Sequence, residues 1–598
     1  MITELADKVT QPLSLFAPYP PIGDRSSWKA VPEEFLRQLT AAGEAFLHYD
    51  YPVLKASDFM DFCRTGNRVN YENKLFARRT ALNALVLAEC AEAKGRFLDD
   101  IINGIFCICE ESAWQLPAHN SYIRDTPQLL LPDVTRPVID LFAAETGAIL
   151  AVTDYLLRDV LNQVSPAVSA MIEDNLERRI FKPYLTEHFW WMGDGKSHMN
   201  NWTSWCTQNV LLAAFTRPLD QKRQMAILKK ACRSLDYFLD EYGPDGCCDE
   251  GAQYYRHAGL TLFNALEVLN GVTGGAFKSA YGEEKVRNIA AYILNAHISD
   301  CYYVNFADCS PMAGRCDARE FLFGKRTDNP ALTAFAASDY QKSEDPLTLQ
   351  EHNLFYRLQT AFTRKEMLDY DKDAVIFHPD LYYGSVGLFI ARDTRFYLAV
   401  KAGDNGDSHN HNDTGSFIVY KNGKPMFIDL GVEGYTKKTF SPQRYEIWTM
   451  QSQYHNLPTL GGVMQKDGEE YGASQVECSL GHEVCRISME LSGAYPDERV
   501  TSYRREAVLE KGKKIVISDE YSGELRPAAL SLMTWEKPVW DGKRLMVGEL
   551  GSCEIAGGAG ITIEEIPVTD PRLAKAWKHK VYRTLITFSG TKLTLTVT

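Results

Sequence analysis

Up to about residue 365, apolar side chains recur every three or four positions in segment after segment, the spacing of amphipathic helices. Phe76–Lys94 carries such a stripe and Arg96–Cys109 follows with another; Ser165-Pro166 then opens a helix with a cap residue and a proline in the first turn. Gln221–Tyr242, Gly259–Leu269, Glu283–His297 and Thr348–Thr363 continue the series through short connections, many with Pro or Gly. Each stripe must be covered by a neighbour, either in a solenoid of helix pairs or in an α/α toroid. No sequence period recurs, which favours the toroid.

The texture changes once, between residues 365 and 375, and after Asp373 the runs read as strands. Leu381–Val400 is rich in Tyr, Val and Phe and turns near Arg392–Thr394. Ser416–Tyr420 and Pro425–Asp429 flank Asn422-Gly423, a pair suited to a type I′ hairpin turn. Val508–Ser518 turns at Lys511-Gly512, and Asp541-Gly542 and Ser589-Gly590 separate further β-like runs. The expectation is a multidomain α + β chain. Residues 1–370 form an incomplete α/α toroid of helix pairs, and residues 371–598 an antiparallel β-sandwich.

Composition narrows the partners. The 598 residues hold 64 Lys+Arg against 78 Asp+Glu, a net charge of −14, with 45% hydrophobic residues. That is an ordinary globular chain without the basic excess of a non-specific nucleic-acid binder. No apolar run is long enough for a membrane span, and MITELADKVTQPLSLFAPYPP has no basic segment leading into an apolar core, so a cytoplasmic address is expected. The 14 cysteines are scattered without a C-x-x-C pair, the mark of reduced, mostly buried thiols.

Three polar clusters carry candidate chemistry. In GDNGDSHNHND, residues 403–413, His409 and His411 fall on one side of an extended backbone. With Asp429 and His455 further on, two histidines and a carboxylate match a zinc site, although solvated loop histidines would also fit. The second cluster, His198–Cys206, sets Asn200, Asn201, Trp202 and Trp205 before an apolar helix; Asn there is a natural helix cap, and Trp stacks on sugars or packs in cores. The third, Asp249–His257, spaces Glu250 and Tyr254 four apart, one face of a helix.

Taken in order, these segments resemble the heparinase II/III-like polysaccharide lyases. The resemblance rests on NNW…W, on EG-x-x-Y (Glu250, Gly251, Tyr254), and on HNHNDTGSF, GKPMFIDLG, Gly434-Tyr435, Arg444 and His455-Asn456. It implies an α/α toroid joined to a β-sandwich and a β-elimination that removes the C5 proton of a uronate and expels O4. On this resemblance Asn201, or its neighbour Asn200, neutralises the uronate carboxylate. Tyr254, or Tyr255, and His409 are catalytic. His411, Asp429 and His455 hold a structural zinc, and Trp202, Trp205, Glu250, Tyr435 and Arg444 contact substrate. One departure stands out: Trp202 occupies the position where several members carry a histidine. An ionised uronate makes a poor carbon acid, so an amide on its carboxylate does the work of an oxyanion hole. Tyrosine serves as general acid without help, whereas as base it needs a nearby cation. The expected partners are an anionic uronic-acid oligosaccharide of glycosaminoglycan type, attacked in exo mode, and a second copy of the chain in a homodimer. Three other readings stay open. One is a glycoside hydrolase using Asp245, Asp249 or Glu250, another a zinc hydrolase built on His409, His411, Asp413, Asp429 and His455, and the third a non-catalytic glycan-binding protein.

Overall fold

The computed structural model describes every residue except Asp125 and Lys372. Met1–Tyr242, Arg256–Ala290 and Arg315–Ile376 form a helical unit; Gly243–Tyr255, Ala291–Gly314 and Phe377–Thr598 form a strand-rich one. A single cut near residue 370 therefore does not describe the division. Two inserts from the mostly helical stretch of the chain belong with the strands, and one of them brings Tyr254 there.

The helical unit is an α/α toroid in which helices pack on close sequence neighbours, Glu33–Glu44 on Val69–Glu92, Leu141–Val164 on Asn201–Phe215, and Asn201–Phe215 on Gln221–Glu241. The predicted stripes correspond to Val69–Glu92, Leu98–Cys109, Pro166–Leu176, Gln221–Glu241, Gly251–Val272, Glu284–Ala296 and Leu354–Leu368. Side-chain caps set many starts: Asp140 accepts from Ala143 N, Ser165 from Ala167 N and Asn353 from Phe355 N. The helix Leu141–Val164 is buried without a break from Ala143 to Asp154, and Asn201–Phe215 from Thr203 onward. Over those stretches neither helix has a solvent face.

The strand-rich unit has three principal antiparallel sheets. A five-stranded sheet runs from Leu381–Tyr383 to the hairpin Phe417–Lys421/Lys424–Phe427, whose Asn422 and Gly423 adopt φ of 51° and 76° as a type I′ turn requires. An eight-stranded sheet has Lys592–Val597 in its interior, between Lys514–Ser522 and Gly551–Ala556. In a four-stranded sheet, Lys580–Phe588 lies between Gly558–Pro567 and Ala528–Thr534. Side chains of all three enclose one core, Phe389 and Leu398 meeting Ile487, Leu509, Leu530 and Ile586. Lys514–Ser522 alternates buried and open positions, the period-two pattern of a strand covered on one face.

Two polar stitches fix the loop carrying the histidines. Arg505 pairs with Asp519 through two 2.7 Å contacts and donates Nη1 to Gly415 O and Asn456 O, both at 2.7 Å. Asn456 in turn donates to Phe417 O and Ile428 O and accepts from Met533 N. Every polar atom of this pair of side chains that could be stranded by burial is thereby engaged.

Candidate active site

The strand-rich unit gathers Tyr254, Glu250, Asp308, His409, His411, Asp429, Tyr435, Arg444, His455 and Arg572. Their shared element is the irregular segment after Tyr302–Tyr303, which brings Asp308, fully buried, into the middle of the group. Two glycines allow its approach. Gly251 has φ +85° and a Cβ there would lie 2.8 Å from Cys309 Cβ; Gly431 has φ +74° and a Cβ would lie 2.5 Å from Cys309 O. The glycines in EG-x-x-Y and in GKPMFIDLG thus make room for the loop that holds Asp308.

Asp308 accepts from four side chains. Its Oδ2 faces His409 Nδ1 at 2.9 Å and Tyr435 OH at 3.1 Å, and its Oδ1 faces His411 Nε2 at 3.0 Å and Arg444 Nη2 at 2.7 Å. Burial alone would push this carboxyl up, but the hydrogen bonds from His409 and His411 and the Arg444 guanidinium hold it well below the usual carboxylate range. The Tyr254 ring stacks on His409 with centroids 4.7 Å apart, and its hydroxyl meets Tyr435 OH at 2.5 Å. A continuous hydrogen-bonded path therefore runs from Tyr254 through Tyr435 to Asp308. Burial raises the Tyr254 pKa, opposed by Arg572, whose guanidinium lies 4.8 Å above the Tyr435 ring. At His409 burial pulls the pKa down, yet the Asp308 hydrogen bond and the Glu250 charge outweigh it and leave it raised. Glu250 Oε1 stands 3.5 Å from His409 Nε2. Glu250 immediately precedes the helix Gly251–Val272 rather than sharing a turn of it with Tyr254.

His411, Asp429 and His455 each bring a ligand atom within 4.8 Å of the others, and all three are buried. His455 Nδ1 is 2.8 Å from Asp429 Oδ2, while its Nε2 is held by Thr449 O at 3.1 Å. His411 gives Nε2–H to Asp308 and leaves Nδ1 buried with no hydrogen-bond partner. A buried, orphaned imidazole nitrogen beside a carboxylate and a second imidazole is what a cation site leaves when its protein side is drawn alone, so these residues fit zinc.

The other expected site residues divide. Arg444 spends its guanidinium on Asp308, Asn410 O and Thr439 O, tying the loop internally. Tyr255 is fully buried against Tyr292, whereas Tyr254 meets His409. Asn200 Oδ1 caps the helix at Trp202 N, leaving Asn201 as its first residue, in the helical unit with Trp202 and Trp205. Trp205 is 8% exposed, donates to Glu145 and stacks on His257 at 4.1 Å, beneath the surface rather than on it. Sequence reasoning missed Asp308 and Arg572. Neither stands in a motif, although an aspartate ending the mostly apolar run Tyr302–Ala307 was a weak signal for the first.

Residues 378–535 match the family model Heparinase II/III-like, C-terminal. No curated protein matches the chain in sequence. Among solved structures, the chain is similar to one described as heparinase III, at 13% identity and a TM-score of 0.62, with 98% of this chain and 92% of that one covered. It is similar to heparan sulfate lyase HepC from Pedobacter heparinus at 14% identity and 0.57, over 100% and 87%. The chondroitin AC lyase of Streptomyces coelicolor A3, in complex with chondroitin sulphate, follows at 12% and 0.50, over 100% and 82%. Residues 378–535 are thus matched to the C-terminal domain of the heparinase II/III-like proteins, and the whole chain has the toroid-plus-sandwich fold of these lyase structures.

Proposed function

We propose that the protein is a polysaccharide lyase that cleaves uronic-acid glycans of glycosaminoglycan type by β-elimination, in exo mode on oligosaccharides. The observation that carries the reading is the stacked Tyr254–His409 pair, with the imidazole oriented by Asp308 and the phenol joined to the same carboxylate through Tyr435. A His409 that donates Nδ1–H to Asp308 keeps its lone pair on Nε2, and the carboxylate strengthens that nitrogen as a base for the C5 proton. Burial favours the protonated phenol of Tyr254, the form that a general acid needs to protonate the departing O4. The role of Asn201 on the uronate carboxylate rests on the sequence resemblance.

The zinc proposed at His411, Asp429 and His455 is structural. A hydrolytic metal needs a position open to water, and these three ligands are buried. When bound, it would neutralise Asp429 and fix the loop bearing His409; elimination itself requires no activated water.

The test is product chemistry with the Tyr254→Phe variant beside the parent. Over a panel of uronic-acid oligosaccharides, the parent should release an ultraviolet-absorbing unsaturated uronate, and the variant should lose about 10²–10⁴-fold in kcat with an unchanged melting temperature. Saturated products formed with uptake of water would replace this reading with a hydrolase at Asp249 and Glu250.

A further inference from the structure

Between the helices Pro166–Leu176 and Lys182–Thr186, the residues Glu177–Phe181 form a π turn, with Lys182 N donating to Glu177 O. Pro183 explains its place. A proline has no N–H for the carbonyl four residues back, here that of Arg179, and its ring crowds that oxygen; the wider turn relieves the conflict. Arg178 stays at the surface and Arg179 is buried, and Asn175 Oδ1 accepts from both, at 3.2 and 3.0 Å. Arg179 thereby enters a cluster that is already rich in positive charge. Arg79 grips the Glu111 carboxylate through two contacts of 2.6 Å, and Arg78 adds a third at 3.1 Å. Arg179 is left with the carbonyl oxygens of Glu111 and Cys109, and its guanidinium lies 4.9 Å over the Trp114 ring. All three guanidiniums and the carboxylate are buried, so three positive charges share one negative. Burial and the neighbouring Arg178 charge pull the Arg179 pKa down to about 10. Buried charges are ordinarily matched, and this cluster is short of an anion.

Room for one lies beside Arg179. A cavity of about 20 Å³ is lined by Arg178, Arg179 and the segment Ser112–Gln115, space for a small ion and too little for a sugar ring. Arg179 uses Nε and Nη2, and its Nη1 makes no hydrogen bond among the described residues. Nor do the four successive backbone N–H groups of Ser112–Gln115, although Ala113, Trp114 and Gln115 are buried. Buried donors without acceptors are rare, and here they sit together on the wall of one cavity. Asp133 also lines it, but its Oδ1 is taken by Thr135 N and Oγ1, at 2.9 and 2.6 Å, and Asp174 meets Arg178 at the surface, at 3.6 Å. A guanidinium beside consecutive N–H groups is a donor set for an anion. A water molecule would satisfy the donors and leave the charge uncovered.

We propose that this cavity is an anion site that takes one compact inorganic anion of the sulfate or phosphate type, matching Arg179 and fastening Ser112–Gln115 to the π turn. The site is independent of the reaction proposed above. The experiment titrates sodium sulfate, phosphate and chloride calorimetrically into the full chain at fixed ionic strength, with Arg178→Gln and Arg179→Gln alongside. The parent should bind sulfate or phosphate saturably. Arg179→Gln should weaken that binding about tenfold, and Arg178→Gln, which reaches the cavity from the surface, about threefold. Chloride binding with the same dependence on Arg179 keeps the site and assigns it to a halide. Heats that never saturate mark a general salt effect and overturn the proposal, as does parental affinity in both variants. Should Arg179→Gln fail to fold, the exposed Arg178→Gln decides: weaker binding supports the site and parental affinity refutes it.

Discussion

One buried carboxylate sets the protonation pattern of two histidines with different duties. Because Asp308 accepts Nδ1–H of His409 and Nε2–H of His411, the first keeps its lone pair on Nε2 and the second on Nδ1, toward Asp429 and His455. Asp308→Asn keeps the shape but offers an amide hydrogen where an acceptor is needed. The expected outcome is a kcat about 100-fold lower with KM within twofold, and zinc retention about tenfold weaker by mass spectrometry of the dialysed protein. A kcat within threefold of the parent would remove Asp308 from the account. The histidines were legible because His409 and His411 stand one residue apart in a dense polar motif. Their organiser was not, since it lies 101 residues from His409 in a loop with no motif, and only the fold joins them. Likewise Tyr254 and Tyr255 are indistinguishable in sequence, and burial separates them.

Elements with one wet face announced themselves, as the stripe behind Gln221–Glu241 did; elements without one did not. Leu141–Val164 is buried without a break from Ala143 to Asp154, so over that stretch it has no polar face to set the period, and the seven-residue helix Pro571–Trp577 that carries Arg572 is too short to show one. The buried stretch has a cost that pH exposes. Burial pushes the Glu145 carboxyl up to about 7, against the hydrogen bond from Trp205. The folded state therefore favours its neutral form. The stability this contributes is complete below about pH 4.5 and is lost as pH rises through about 7. Glu145→Gln, which keeps an acceptor for Trp205, should gain about 3 kcal/mol on the parent between pH 4 and pH 8, read from denaturant unfolding at both ends. A pH-independent difference would show that the fold leaves the Glu145 pKa where it stands in the unfolded chain.

For the molecule as a whole, the order of helices followed by strands was readable from periodicity. The membership of Gly243–Tyr255 and Ala291–Gly314 was not, because long-range contacts alone assign them to the strands. If zinc holds His411, Asp429 and His455 together, it stabilises the unit those residues belong to. Chelation should lower the calorimetric transition of the strand-rich unit by about 5 °C or more, leave the helical unit's transition in place, and be reversed by added zinc. Coincident melting of treated and untreated protein would mean that no structural ion is held there.

The interior places of Lys580–Phe588 and Lys592–Val597 in their sheets bear on how the chain comes off the ribosome. Until those residues have left the exit tunnel, Lys514–Ser522 and Gly551–Ala556 face a gap one strand wide, and so do Gly558–Pro567 and Ala528–Thr534. The aspartate that will grip the two imidazoles has by then been waiting for almost half the length of the protein. Vectorial synthesis can finish much of the toroid early, but the catalytic half closes all at once, with its unpaired edges exposed to other nascent chains in the interval.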